Sequence, residues 1–295
     1  MTFTSLSEAI RTCFNVDPAD AFLRPMAGGD INEAALLSLA DGRRFFVKLN
    51  RASRLSFFKT EQTGLAALAS TQAISVPQVF AVGTDGDQSF LIEEHLPSGR
   101  RAPGFFEEFG RRLAAMHRAQ TDPFVPGGRF GFTEDNYIGA SPQDNTPAQH
   151  WVEFFHDHRL APQLAMAKDR LETDDLRAAD RLMDRLDEYL IEPEQPSLLH
   201  GDLWAGNYMT GPDGCAWLID PAVYVGHREA DLAMTELFSG FPAQFYDAYR
   251  EAWPLQPGYA SRRDLYNLYH MLNHLNLFGR SYLPSVRHIL AEYVR

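Results

Sequence analysis

Apolar and polar positions along the chain change their period near residue 96. Residues 5–14 carry the pattern of a short amphipathic helix. Residues 22–49 then read as strand, turn, strand, turn, strand, with Gly28-Gly29-Asp30 and Asp41-Gly42 supplying the turns. A helical stripe returns over 54–70 through Leu55, Phe58, Leu65, Leu68 and Ala69. It ends at Val76-Pro77, because the residue before a proline is pushed into extended backbone. Two more strands, 78–82 and 89–95, flank the turn Thr84-Asp85-Gly86-Asp87. Past Leu96-Pro97-Ser98-Gly99 the texture becomes helical, first over 105–119 and then in long helices from Gln149 onward. The intervening 121–148 stretch is rich in Pro, Gly, Asp and Asn, and loops of that length are more often functional than plain connections. Short apolar segments at 197–200, 208–209 and 216–219 read as small strands. The pattern predicts two parts: a sheet with one inserted helix over 1–95, and a mainly helical part over 96–295.

Composition narrows the class. A chain of 295 residues holds roughly two domains at about 150 residues each, and 45% hydrophobic with 22% charged residues is ordinary for a folded globular protein. Lys+Arg 27 against Asp+Glu 39 gives a net charge of −12, which repels a phosphate backbone and argues against nucleic acid as the main partner. A small anionic ligand is not excluded, since a few cations or backbone N–H groups focused in one place suffice. Only Cys13 and Cys215 are present, so neither a disulfide framework nor a zinc ribbon is expected. The opening residues lack the basic and apolar regions of a secretory signal, and no stretch approaches a membrane span. The expected location is the cytoplasm.

The chemistry concentrates in His200-Gly201-Asp202-Leu203-Trp204-Ala205-Gly206-Asn207. This is the H-x-D-x-x-x-x-N spacing of a kinase catalytic loop, in which one carboxylate meets a substrate hydroxyl and an amide oxygen reaches a metal ion. A capped turn would use the same residue types. Downstream, Asp220 ends the apolar segment Trp217-Leu218-Ile219, where a metal-binding carboxylate belongs. Mg²⁺ prefers oxygen ligands and keeps several waters, so Asn207, Asp220 and the phosphates of ATP would be enough. Lysine is scarce: Lys48, Lys59 and Lys168 are the three in the chain. Lys48 closes Phe45-Phe46-Val47 as a phosphate-contacting lysine would, and Glu61 on the following helix is its expected partner. Gly28 and Gly29 stand where a glycine-rich turn lets backbone N–H groups approach phosphates, although they depart from G-x-G-x-x-G. Glu94 and Leu96 occupy the linker whose main chain would pair with adenine.

Other chemistries lack their residues. None of the three lysines follows a glycine, which removes the Walker-type loop, and no G-x-S-x-G occurs. His270 and His274 are spaced i, i+4, but Met271 stands where a zincin needs Glu, so packing or substrate contact is the expected role of this pair.

These motifs resemble the fructosamine (ketosamine) kinases, within the protein-kinase-like and aminoglycoside-phosphotransferase-like group. The resemblance runs through Gly28-Gly29-Asp30-Ile31-Asn32, Phe46-Val47-Lys48, Glu93-Glu94-His95-Leu96, the His200-to-Asn207 loop, Ile219-Asp220-Pro221, Gly226-His227-Arg228-Glu229 and Leu272-Asn273-His274. It implies a bilobal α+β fold: a small N-terminal antiparallel sheet lobe with one αC-like helix, and a larger mainly α-helical C-terminal lobe. It implies ATP-dependent phosphorylation of the 3-hydroxyl of a ketosamine, free or protein-bound, in a deglycation role. Asp202 would be the base, Asn207 and Asp220 the Mg²⁺ ligands, Lys48 and Glu61 the phosphate clamp. Trp204, Tyr224 and His274 would face the substrate. Some relatives carry a redox-active cysteine in the glycine-rich loop; this loop has none. Another small-molecule kinase of the same fold, or a non-catalytic kinase-shaped module, is the alternative.

Overall fold

A computed structural model describes residues 2–26, 31–97, 99–125 and 129–293. They form two compact units, one of residues 1–105 with 208–221 and the other of residues 106–207 with 222–295.

In the first unit, strands β1 (Thr2–Phe3), β2 (Ala21–Met26), β3 (Glu33–Leu39), β4 (Arg44–Arg51), β5 (Val79–Asp85) and β6 (Gln88–Glu94) form one sheet in the order β1-β5-β6-β4-β3-β2. The expected antiparallel sheet is thus mixed, because the two-residue β1 runs parallel to β5. Gly83 permits that pairing: the carbonyl of Phe3 occupies the space a Cβ there would need. Helix α1 (Leu6–Phe14) starts where the Ser5 hydroxyl accepts the Glu8 N–H at 3.1 Å, and lays Ala9, Ile10 and Phe14 on Ala35, Val47 and Ile92 of the sheet. Helix α2 (Leu55–Ser70) covers the opposite face, where Phe58 is fully buried with Val82 and Leu91. Burying a side chain of that size contributes about 2–3 kcal/mol, which fixes how α2 lies.

The same unit takes in a hairpin from far along the chain, strands Tyr208–Thr210 and Ala216–Leu218, paired Tyr208 with Leu218 and Thr210 with Ala216. The Leu218 N–H donates to the Ser75 carbonyl at 2.9 Å, which fastens the hairpin to the loop before β5. By packing, residues 96–105 and 208–221 therefore go with the sheet, beyond the division drawn at 96 from periodicity alone.

The second unit is built around the helix Tyr259–Phe278, buried through Tyr266–Asn273, with the helix Glu229–Glu236 against it. Beside them the strands Ser197–Leu199 and Tyr224–Gly226 pair antiparallel. The long helices expected after Gln149 begin in pieces. Trp151–Phe155 gives way to a wide turn at His156–Leu160 and then Ala161–Ala167. Pro162 has no N–H to return to the carbonyl four residues back, and that carbonyl, of His158, instead accepts from the buried Arg159 guanidinium at 2.8 Å. Within 129–148 buried amides tie the chain down: Asn136 donates to the Val223 carbonyl at 2.7 Å, and Gln143 to the Ala222 carbonyl at 3.1 Å. Among the described residues no helix is long and apolar enough to cross a membrane.

Candidate active site

The catalytic-loop motif follows strand Ser197–Leu199 and turns at Gly201, whose φ of +81° favours glycine and whose absent Cβ leaves room for the Ala222 carbonyl. Its shape is set from below by Asp231, on the helix Glu229–Glu236. The two carboxylate oxygens of Asp231 accept the N–H groups of His200 at 2.7 Å and Gly201 at 2.8 Å, and His117 lies 3.1 Å from one of them. Burial opposes the Asp231 charge, but these hydrogen bonds and His117 outweigh it and hold the carboxyl below its ordinary pKa. Asp202 is then presented on a fixed backbone. Asn207 donates from its side-chain amide to the Asp202 carbonyl at 2.8 Å and to the Asp202 carboxylate at 3.1 Å. The spacing of five residues thus closes a small ring in which the Asn207 nitrogen is committed to Asp202 and its Oδ1 is left as the side-chain acceptor or metal-ligating oxygen.

In the first unit Lys48 projects from β4 on the face covered by α2. Its ammonium meets the carboxylates of Glu61 and Asp220 directly, and Glu93 at 3.8 Å. Glu61 is one turn beyond Phe58 on α2, so the packing of that phenylalanine aims it at Lys48. Asp220 arrives on the 208–218 hairpin, with a φ of +53° that turns its half-exposed carboxylate back toward the sheet. Burial works against the Lys48 charge, but Asp220, Glu61 and Glu93 outweigh it and hold its pKa well above the usual lysine value. The opposite happens to Glu93: burial, reinforced by Glu61 and Asp220 against the pull of Lys48, pushes it up to about 8. Its Oε2 is buried with no hydrogen-bond partner.

Trp204, Phe238 and His274 form an aromatic run in the second unit, with ring centroids 6.0 Å apart from Trp204 to Phe238 and 5.1 Å from Phe238 to His274. Tyr224 does not join it. It is 2% exposed, with the Arg159 guanidinium 3.9 Å over its ring, so it packs inside the unit and offers no open face to a sugar. At the linker, the Glu94 N–H is committed to the Gln78 carbonyl at 2.8 Å and cannot serve as the adenine donor, while Leu96 is buried just past β6. Gly28 and Gly29 lie outside the described residues.

Sequence reasoning passed over two groups that the geometry makes central. Glu93 shares the Lys48 face, through the pairing of Phe46 with Glu93, so a charged residue at an inward position of Phe90-Leu91-Ile92-Glu93 was the available signal. Asp231 was marked by being a carboxylate at the start of an apolar helix just after His227-Arg228-Glu229.

The oxygen donors present suit a hard divalent cation. Asn207 Oδ1 and the Asp220 carboxylate are the ligand types Mg²⁺ takes, and the excess of carboxylates around Lys48 calls for further positive charge. Among the described residues no group of three or more His, Cys, Asp or Glu could hold a metal ion alone, so phosphate oxygens and water would have to complete the shell.

Lysine–carboxylate pairs on a sheet and Asp–Asn loops recur in protein-kinase-like phosphotransferases. The fold is theirs: the aminoglycoside phosphotransferase APH(4)-Ia, solved with ADP and hygromycin B, superposes with a TM-score of 0.65 at 16% identity over 98% of each chain. The family model for fructosamine kinase matches residues 3–295, and the chain belongs to that family. It is 42% identical over 277 residues to the probable ketoamine kinase slr1563 of Synechocystis, covering 92% of this chain and 90% of the relative. It is 41% identical to the chloroplastic protein-ribulosamine 3-kinase of Oryza sativa subsp. indica, covering 92% and 78%. A crystal structure of a fructosamine-3-kinase candidate from Thermobifida fusca YX-ER1 matches with a TM-score of 0.84 at 34% identity over 99% of both chains. With the family comes the class of enzyme, a ketosamine kinase.

Proposed function

We propose that this enzyme transfers the γ-phosphoryl group of ATP to the 3-hydroxyl of ketosamines, sugars joined to an amine, and that the unstable product then releases the amine. The observation that carries the reading is the Asp202–Asn207 ring on a backbone locked by Asp231. It gives a carboxylate a fixed aim at one hydroxyl, which is most of what phosphoryl transfer asks of a protein.

In the step itself, the substrate oxygen forms a bond to the γ-phosphorus, the bond from that phosphorus to the bridging oxygen of ADP breaks, and the hydroxyl proton passes to Asp202. Asn207 and Asp220 would hold Mg²⁺, which when bound neutralises phosphate charge. Lys48, oriented by Glu61, serves the α- and β-phosphates. Adenine takes the Glu94 carbonyl and the Leu96 N–H, since the Glu94 N–H is already committed. Lys48, Glu61 and Glu94 act from the sheet unit, which also takes in Leu96 and Asp220, and Asp202, Asn207 and the substrate contacts from the helical one. The aromatic run of Trp204, Phe238 and His274 faces the sugar–amine junction, where a protonated amine would be favoured by ring faces. The location proposed is the cytoplasm.

Phosphate transfer to free ribulosamine, erythrulosamine and fructosamine, and to the same sugars on protein, tests the reading against aminoglycoside, choline and homoserine acceptors. Transfer to a ketosamine is expected to exceed transfer to those alcohols by orders of magnitude; preference for any of them would replace it.

A further inference from the structure

We propose that His270 is the second hydrogen-bonding group on the reacting hydroxyl, so that its Nδ1 and the Asp202 carboxylate hold that oxygen between them. The proposal rests on the ketosamine-kinase reading and adds to it a residue that selects which oxygen reacts.

His270 lies in the helix Tyr259–Phe278 and is 4% exposed. Its Nδ1 is buried with no hydrogen-bond partner, and it lies 3.9 Å from Asp202 Oδ1. That separation is too long for a hydrogen bond between the two. It does suit a single oxygen placed about 2.8 Å from each. A histidine that only packs normally has its buried ring nitrogen satisfied, because an unmatched polar atom costs about 1–3 kcal/mol. Here the ring has an aromatic neighbour but no polar partner at Nδ1 among the described residues. It packs against Tyr269 at 5.2 Å, and one turn on His274 Nδ1 binds the His270 carbonyl at 2.7 Å. That nitrogen, without a hydrogen-bond partner among the described residues, therefore faces the Asp202 carboxylate from the helix Tyr259–Phe278.

The chemistry agrees with that aim. Burial, with His274 and Arg159 adding to it and Asp231 opposing, pushes His270 down to about 3, so the ring is neutral and donates from one nitrogen only. With the proton on Nδ1, His270 donates to the hydroxyl oxygen while that hydroxyl points its own proton at Asp202. One lone pair remains for phosphorus. His270 keeps its proton throughout; Asp202 takes the one released. A polyol offers several hydroxyls of nearly equal reactivity, and two fixed partners 3.9 Å apart accept only the one whose neighbours also fit.

The test compares His270→Leu, His270→Asn and His270→Gln with the wild type in kcat and KM for a ketosamine, nucleotide affinity by titration calorimetry, and thermal midpoint. The Asn amide falls near the position of Nδ1 and the Gln amide near that of Nε2. His270→Leu is expected to lower kcat/KM for the ketosamine roughly 10- to 100-fold with nucleotide affinity unchanged, and His270→Asn to recover most of it. His270→Gln should recover little, and this Asn–Gln contrast decides the matter if the leucine variant does not fold. An Asn variant no better than Gln, or a folded Leu variant within about twofold of wild type, would overturn the proposal while leaving the kinase reading intact. A wild type inactive on every ketosamine would remove both.

Discussion

Around Lys48 in the first unit three carboxylates crowd one ammonium, whereas around Asp202 in the second a carboxylate is steadied by an amide and its backbone by a buried aspartate. The first arrangement is held by charge and carries an excess of one sign, so it responds to protons and to cations. The second is held by directional hydrogen bonds, so its geometry does not depend on either. A phosphotransferase needs both kinds of part: a clamp completed by its charged ligand, and a base whose position does not depend on that ligand.

The largest effect that would sharpen this contrast is at Asp202. Asp202→Asn keeps the shape of the loop but removes the proton acceptor, and kcat should fall by about 10²–10⁴ while calorimetry finds nucleotide affinity retained. Full turnover would break the assignment. Lys48→Met acts on the other side of the comparison. It leaves Glu61, Glu93 and Asp220 without their cation, so nucleotide affinity should fall at least tenfold, and Asp202-dependent geometry, read by crystallography, should be unchanged.

Asp231→Asn tests how the loop is held. It takes away a carboxylate that accepts from His200 and Gly201, and should cost about 1–3 kcal/mol in denaturant unfolding together with a drop in kcat at unchanged nucleotide affinity. A last effect, on stability rather than on turnover, lies in the response to pH at Glu93. Its folded pKa of about 8 is above the ordinary glutamate value of 4.5, so the folded state binds the extra proton between those values. Stability should therefore decline as pH rises from about 4.5 to 8, and Glu93→Gln should flatten that part of the curve in ligand-free melts. An unchanged slope would mean that Glu93 titrates normally.

Much of this was legible in the chain. The strands and α2 follow their periods; within the first unit Lys48 meets Glu61 and Asp220, and within the second Asn207 meets Asp202. What escaped depends on partners distant in sequence. The two residues of β1 have no period of their own and become a strand only because Gly83 lets Phe3 approach. Pro162 interrupts the long helix expected from Gln149 onward, because it has no N–H to continue the ladder. Tyr224 sits in a motif beside functional residues, yet Arg159 covers its ring. His270 looked like half of an i, i+4 histidine pair, and its reach to Asp202 across 3.9 Å depends on how the helix Tyr259–Phe278 packs.

The position of the transferred phosphate tests the central claim most directly. After incubation of wild type with ATP and a free ribulosamine, phosphorus and carbon NMR should find the phosphate on the 3-oxygen, followed by release of the amine, with no such product from Asp202→Asn. Phosphate on another atom, or the same product from the Asp202 variant, would contradict the account.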